Sequence, residues 1–189
     1  MLWDKYTVKA HSHKGGAKMG ICVTELRDYV IRPTLKQLGQ YSKAAENLLL
    51  GTAAQESSVG FHLRQHNSHN LGIYQISPQR HIRVWDHYLV TLPELASDIR
   101  GLASQHEFLE RPHAELTTNL SYATAVAWAI YRQHAVVMPC NANNIQALAQ
   151  QWLLHFSHRA PSSQSMGERR AQFIANYQQF IQAKPLAVA

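Results

Sequence analysis

The chain is poor in charge and in cysteine, and it lacks any long apolar run. Charged residues make up 16% of its 189 positions, and no five or six basic residues stand together, although the formal net charge is +6. A surplus of positive charge suits an anionic partner, whether nucleic acid, an acidic lipid surface or the anionic polymer of a bacterial wall. Without a basic cluster or a helix-turn-helix, RNP or zinc-finger pattern, no specific nucleic-acid partner is expected. The two cysteines, Cys22 and Cys140, are far apart and form no CxxC pair. That excludes the usual zinc and dithiol motifs, and the expectation is two buried thiols rather than a disulfide. The first residues, MLWDKYTVKA, carry Asp4 and no apolar h-region, so they do not read as a secretory signal peptide. The longest uncharged stretch, Leu116 to Tyr131, contains Thr, Asn, Ser and Tyr, and is too short and too polar for a membrane span. A soluble protein is expected, brought to any target beyond a membrane by something other than a signal peptide.

What is present is enough for one core. Apolar residues make up 46% of the chain, and its length suits a single domain. Residues 1–22, with HSHKGGAKMG and no period, read as an N-terminal arm or extension; 23–185 read as the domain. From Thr24 the pattern is helical to about Gly39, with Pro33 kinking or splitting the helix. Ser42 caps a second helix that runs to Glu56. Residues 58–76 read as a loop with two or three short strands. Ser77-Pro78 opens a helix to about Leu89, and Thr91 caps another starting at Leu92-Pro93. Further helices are expected over Asn119 to His134, Asn143 to His155 and Met166 to Gln182. The fold class is therefore α+β, predominantly helical, with a short β-like segment between helices.

Glu56 stands out against this pattern. Ala45, Leu48, Leu49, Thr52 and Ala53 form one apolar helix face, and Glu56 is the next position on it. A carboxylate continuing a buried face is costly to keep ionised, so its pKa should rise. A carboxyl still protonated near neutral pH is what a general acid requires. The plain alternative is that Glu56 lies one residue past the helix end and points to water. His62, His66 and His69 are close in sequence, but their spacing is irregular and no carboxylate or cysteine is near. They read as loop histidines, and neither a metal nor a cofactor is expected.

Glu56-Ser57, followed one loop later by Gly72-Ile73-Tyr74-Gln75-Ile76-Ser77-Pro78, resembles the lysozyme-like superfamily. The branch it looks most like is that of goose-type lysozymes and soluble lytic transglycosylases. That branch has a glutamate-serine pair, a Gly-Leu-Met-Gln-Ile-x-Pro type motif, and a buried helix ending in Ala-Tyr-Asn-Ala-Gly. Here the third element is only partly present, as Ala129-Ile130-Tyr131-Arg132-Gln133. The strings GTAAQES and LGIYQ also resemble phage-encoded proteins that degrade peptidoglycan. The resemblance implies a lysozyme-like fold and cleavage between N-acetylmuramic acid and N-acetylglucosamine in peptidoglycan glycan strands. Glu56 would be the catalytic acid. Ser57 would help place the acid or the N-acetyl group, and Gly72 would let backbone approach the sugar. Tyr74 would stack on a sugar face, Gln75 would hydrogen-bond the glycan, and Tyr131 would orient Glu56. Other virion proteins are implied as partners. Location is expected in the phage virion, or in the host cytoplasm before delivery to the periplasm.

One absence bears on mechanism. Between Ser57 and Trp85 there is no aspartate or glutamate. A second carboxylate, which glycosidases ordinarily need, must then be Asp86 or a distant group such as Glu107. The other route is that of a lytic transglycosylase, in which one glutamate serves as acid and then base while the substrate's N-acetyl group assists. A muramidase using Asp86, and a lysozyme-like virion or wall-binding protein without activity, remain alternatives.

Overall fold

The computed structural model describes residues 20–64, 68–157 and 164–182. It is predominantly helical. A continuous helical run comprises α1 (Val23–Glu25), a π-helical turn Leu26–Ile31 and α2 (Arg32–Gln37). Pro33 has no N–H to donate, and the chain absorbs this by widening the preceding turn rather than breaking the helix. Then follow α3 (Lys43–Ser57), α4 (Pro78–His87), a 3-10 turn Leu89–Thr91, α5 (Pro93–Leu102), α6 (Gln105–Glu110) and α7 (Glu115–Thr118). Finally come α8 (Leu120–Arg132), α9 (Ile145–His155) and α10 (Met166–Tyr177), the last continuing into a π-helical turn Gln178–Gln182.

Two helices are buried nearly all round and carry the rest. In α8 every side chain from Tyr122 to Tyr131 is buried. Its many alanines let neighbours approach closely, and the Asn119 side chain caps it by accepting from Tyr122 N–H at 3.0 Å. In α3 the stretch Ala44–Ala54 is buried, and Ser42 caps it through Ala45 N–H at 3.1 Å. Gly51 sits in mid-helix because a Cβ there would lie 2.4 Å from the Phe173 ring. α10 therefore closes on α3 more tightly than a side chain would allow. Buried Glu46 joins α3 to the first helical run, with Arg32 Nε at 2.8 Å, Lys43 Nζ at 2.5 Å and Arg27 Nε at 3.5 Å. Hydrogen bonds from Arg32 and Lys43 outweigh the effect of burial and hold its carboxyl below the usual range.

Several expectations need correction. The β-like segment reduces, among the described residues, to one antiparallel bridge, Leu71 with Ile76, which closes a tight turn. Both cysteines are exposed, not buried. Thr91 does not cap α5: its hydroxyl turns back to the Tyr88 carbonyl, 2.7 Å away. The residue capping α9 is Asn144. The helix expected from Leu92-Pro93 ends at Leu102, and two short helices, α6 and α7, follow it before α8. Residues 1–19 of the expected arm and 183–185 of the expected domain lie outside the described residues. Ile21, expected in that arm, is tied to the domain by donating to the Val59 carbonyl at 2.8 Å. No helix among the described residues is long and apolar enough to cross a membrane.

A polar brace links α4 to the start of α8. His81 Nε2 meets the Tyr122 hydroxyl at 2.6 Å, and His81 Nδ1 meets His113 Nδ1 at 3.0 Å. Trp85 N–H can only donate, and it points at both the Tyr122 oxygen at 3.0 Å and His81 Nε2 at 3.2 Å, which makes Nε2 an acceptor. Tyr122 then donates to His81 Nε2, and His81 donates through Nδ1 to His113. Both imidazoles are thereby neutral. Burial, then the neighbouring His113, hold His81 down at about 4, against an ordinary 6.5. The unfolded chain takes up this proton at higher pH than the folded one, so acid favours unfolding. Taken alone, this group lowers stability by up to about 3 kcal/mol between pH 6.5 and 4. Urea titrations of the parent and of His81→Gln across that range check it: the stability difference between the two should change by that amount.

Candidate active site

The exit of α3 is strained. Ser58, Val59 and Gly60 stand at φ of 53°, 58° and 81°, and Gln75 in the facing turn stands at 48°. A β-branched valine in the left-handed region is costly, and such outliers gather at functional sites. Ser57 fastens the two turns together. Its hydroxyl donates to the Ile73 carbonyl at 2.6 Å and accepts from Gly60 N–H at 2.8 Å.

Glu56 lies at this exit and does not simply point to water. Its residue keeps some solvent contact, while its carboxyl is buried and acted on by side chains of four other helices. From α9, Trp152 Nε1 donates to Oε1 at 2.8 Å. Arg80 of α4 and Arg169 of α10 bring positive charge, and Tyr131 of α8 lies close enough to couple with it electrostatically. Burial pushes the carboxyl up to about 7, from an ordinary 4.5. The Trp152 bond and the two arginines oppose the shift without cancelling it. Near neutral pH the group is divided between acid and carboxylate, as proton transfer in both directions requires.

The surrounding charges are held in place by the fold. Arg80 donates to the carbonyls of Phe156 and His155, the latter at 2.5 Å, and so closes the C-terminal end of α9. Its guanidinium also lies 4.7 Å over the Phe156 ring. His134 and His155 stack at 5.8 Å beside it. On the α10 side, Asn176 donates to the Gln55 side-chain oxygen at 3.0 Å.

The other expected contacts are placed differently from their implied roles. Tyr131 is wholly buried and stacks on Phe156 at 5.1 Å, but its hydroxyl meets Thr52 Oγ1 at 2.7 Å. It couples to Glu56 only electrostatically, whereas Trp152 donates a hydrogen bond to the Glu56 carboxyl. Tyr74 is wholly buried, with its hydroxyl 3.1 Å from that of Thr124, so its ring offers no face to a sugar. Gly72 has a φ of 73° and donates to the Leu63 carbonyl at 2.8 Å. A Cβ on it would lie 1.7 Å from the Leu116 carbonyl oxygen, so its partner is α7 rather than a ligand. Gln75 is buried, and its amide nitrogen donates to the Gly72 and His62 carbonyls at 2.7 and 3.3 Å. Ser57, Gly72, Tyr74 and Gln75 thus build the turn that backs Glu56.

The two alternative acids stand apart from this group. Asp86 is exposed on α4. Glu107 accepts from Arg111 at 2.7 Å on α6. An open depression of about 440 Å³ beside Glu107 is lined by Ser104, Glu115, Thr118 and Asn119, none of them a neighbour of Glu56. The Glu115 carboxylate in it already accepts from Ser104 N–H at 3.1 Å and from the Asn119 amide at 2.8 Å. His66 lies outside the described residues. Among those described, no three or more His, Cys, Asp or Glu side chains are grouped to hold a metal ion.

Trp152, Arg80 and Arg169 were not singled out by the sequence pattern. Trp152 is separated from Glu56 by 96 residues, and no motif links them. No protein-family model, curated protein or solved structure matches the chain.

Proposed function

We propose that this chain is a peptidoglycan-cleaving enzyme of lysozyme-like type, with Glu56 as its general acid and base. The observation that supports it most is a carboxyl at a strained helix exit, raised to about 7 by enclosure and held by a fixed donor. The glycosidic oxygen takes the Glu56 proton as the C1–O bond breaks, and the departing sugar leaves with a hydroxyl. The substrate's own N-acetyl oxygen attacks C1 and carries the positive charge as an oxazolinium. It is already tethered beside the carbon it attacks, which gives it a high effective concentration. The Glu56 carboxylate then takes the proton of the muramic C6 hydroxyl, whose oxygen displaces the N-acetyl group. The product is a 1,6-anhydro sugar, and Glu56 is again an acid. Among the described residues, the charges that act on Glu56 are the cations Arg80 and Arg169. That favours the one-glutamate route over a two-carboxylate hydrolase. Peptidoglycan strands are the partner in this reading, and delivery with a phage virion is its natural setting.

Mass spectrometry of muropeptides released from purified walls tests the reaction. Anhydro ends are expected. Asp86→Asn should change the rate less than about threefold, since a surface carboxylate outside the site contributes little. Reducing ends, together with a dead Asp86→Asn variant, would make the protein a hydrolase. One observation favours a wall-binding protein without activity: Ser57, Gly72, Tyr74 and Gln75 are all engaged inside the fold. A zymogram on the same walls separates that reading from the enzyme.

A further inference from the structure

We propose that His134, His155 and Arg83 form, beside Arg80, an anion-binding subsite that takes a free carboxylate of the wall's stem peptides. The choice of ligand rests on the reading of this chain as a protein that acts on peptidoglycan. The His134 and His155 rings stack at 5.8 Å, with 19° between their planes. Arg80 meets this pair by donating to the His155 carbonyl at 2.5 Å. Arg83 lies about one turn further along α4, on the same side as Arg80, and acts on its charge. His134 and Arg83 are exposed and His155 is half-buried, so solvent reaches all three. The turn that carries His134 is strained. Ala135 follows it at a φ of 49°, a region costly for any residue with a Cβ.

Side chains from α4, α9 and the turn after α8 thus gather positive charge at one place. Among the described residues, the carboxylate that acts on Arg80 is that of Glu56, and none acts on either histidine. Tyr131 from α8 also acts on Arg80, and Arg169 from α10 acts on Glu56. Partial burial, then Arg80 and the neighbouring ring, hold His134 below the ordinary imidazole range; partial burial does the same for His155. An anion set against the rings reverses this, because it favours the protonated imidazoles. Each ring then offers charged donors to the ligand's oxygens. Binding therefore takes up protons. It tightens as pH falls through the range in which the rings charge, and weakens as pH rises above it. Exposed Leu154, just before His155, and Val137, three residues after His134, add apolar surface. Stem peptides pair carboxylates with alanine methyl groups, whereas a bare phosphate chain offers no apolar partner.

The probe is a disaccharide muropeptide, prepared with its stem-peptide carboxylates either free or amidated, and titrated into the full chain. Proton NMR follows the ring signals of His134 and His155 from about pH 5 to 8, assigned by their loss in His134→Gln and His155→Gln. The free acid should move both signals and raise the pKa of both rings. Its affinity should be higher at about pH 5.5 than at about pH 7.5, by up to about tenfold for each ring whose pKa rises by one unit. The amidated form should bind at least about tenfold more weakly at the lower pH, having lost its charge-assisted bonds. Arg83→Gln should narrow the gap between the two ligands. Equal binding of the two by the parent protein, or ring signals that the free acid leaves unmoved, would overturn the proposal. So would a glycerol phosphate oligomer that binds as tightly as the free acid, because the site would then belong to a phosphate polymer. If the free acid binds as expected while walls stay uncleaved, the subsite stands and the enzymatic reading falls.

Discussion

Glu56→Gln should fold normally, lose at least about a hundredfold of wall-cleaving activity, and melt at a higher temperature than the parent above pH 7. The activity loss is the usual range for removing a general acid. The stability gain is the more unusual expectation and follows from linkage. The folded pKa of Glu56 is about 7 and the ordinary value is 4.5. A carboxyl raised by folding favours the native state while it is protonated. As pH rises from 4.5 to 7 the unfolded chain gives up this proton first, and native stability falls. Above pH 7 the folded protein carries an enclosed carboxylate at a cost of up to about 3 kcal/mol. Glutamine has nearly the same shape, carries no charge to desolvate, and its carbonyl oxygen can accept from Trp152. Removing the cost should therefore stabilise the fold, as often happens when a functional group held under tension is removed. Calorimetry at about pH 5 and pH 8 reads this directly. The variant and parent should be close at the lower pH and separate at the higher one. A variant less stable than the parent at both would mean that Glu56 serves packing.

Glu56 and His81 pull in opposite directions over the same interval. Acid removes the Glu56 cost and exposes the His81 cost. The parent's stability should thus be flat between about pH 4.5 and 6.5, and each single variant should tilt it. His81→Gln should leave stability falling as pH rises, whereas Glu56→Gln should leave it falling as pH drops.

Two of the three expected caps hold: Ser42 and Ser77 each cap the helix they precede, whereas Thr91 turns back to the Tyr88 carbonyl. Glu56 was legible because a single carboxylate interrupts an apolar period. What surrounds it was not, because Trp152 and Arg169 reach it by tertiary packing of α9 and α10 on α3. A tryptophan on an apolar helix face has no local mark distinguishing core from site. Among the described residues, the strands expected over 58–76 reduce to a single bridge. Gly72 and Gln75 both take positive φ, and this closes the chain on itself after one bridge. Tyr131 shows the same limit. Its burial follows from the α8 pattern, but its choice of Thr52 over Glu56 depends on a helix 79 residues away.

Gly72→Ala should cost roughly 3–5 kcal/mol of stability, the sum of a left-handed backbone and an overpacked contact. The backbone at Gly72 has a φ of 73°, and a Cβ would lie 1.7 Å from the Leu116 carbonyl oxygen. Nothing flexible stands there to yield, because the obstacle is the backbone of α7. To make room, the turn must lift away from α7. Ser57 holds that turn through Ile73, and Gly72 itself bonds Leu63, so lifting it strains both attachments. Gly101 provides the control: it is exposed in α5, and a Cβ there meets nothing within 4 Å. Gly101→Ala should gain up to about 1 kcal/mol from helix propensity alone. Urea denaturation of the two variants separates the roles available to Gly72. If its purpose is to let a sugar approach the backbone, Gly72→Ala should keep its stability and raise KM. If its purpose is to seat the turn against α7, the variant should unfold at far lower urea. It should also lose the raised Glu56 pKa as the site opens to water. A Gly72→Ala protein as stable as the Gly101→Ala protein would show that α7 does not seat that turn.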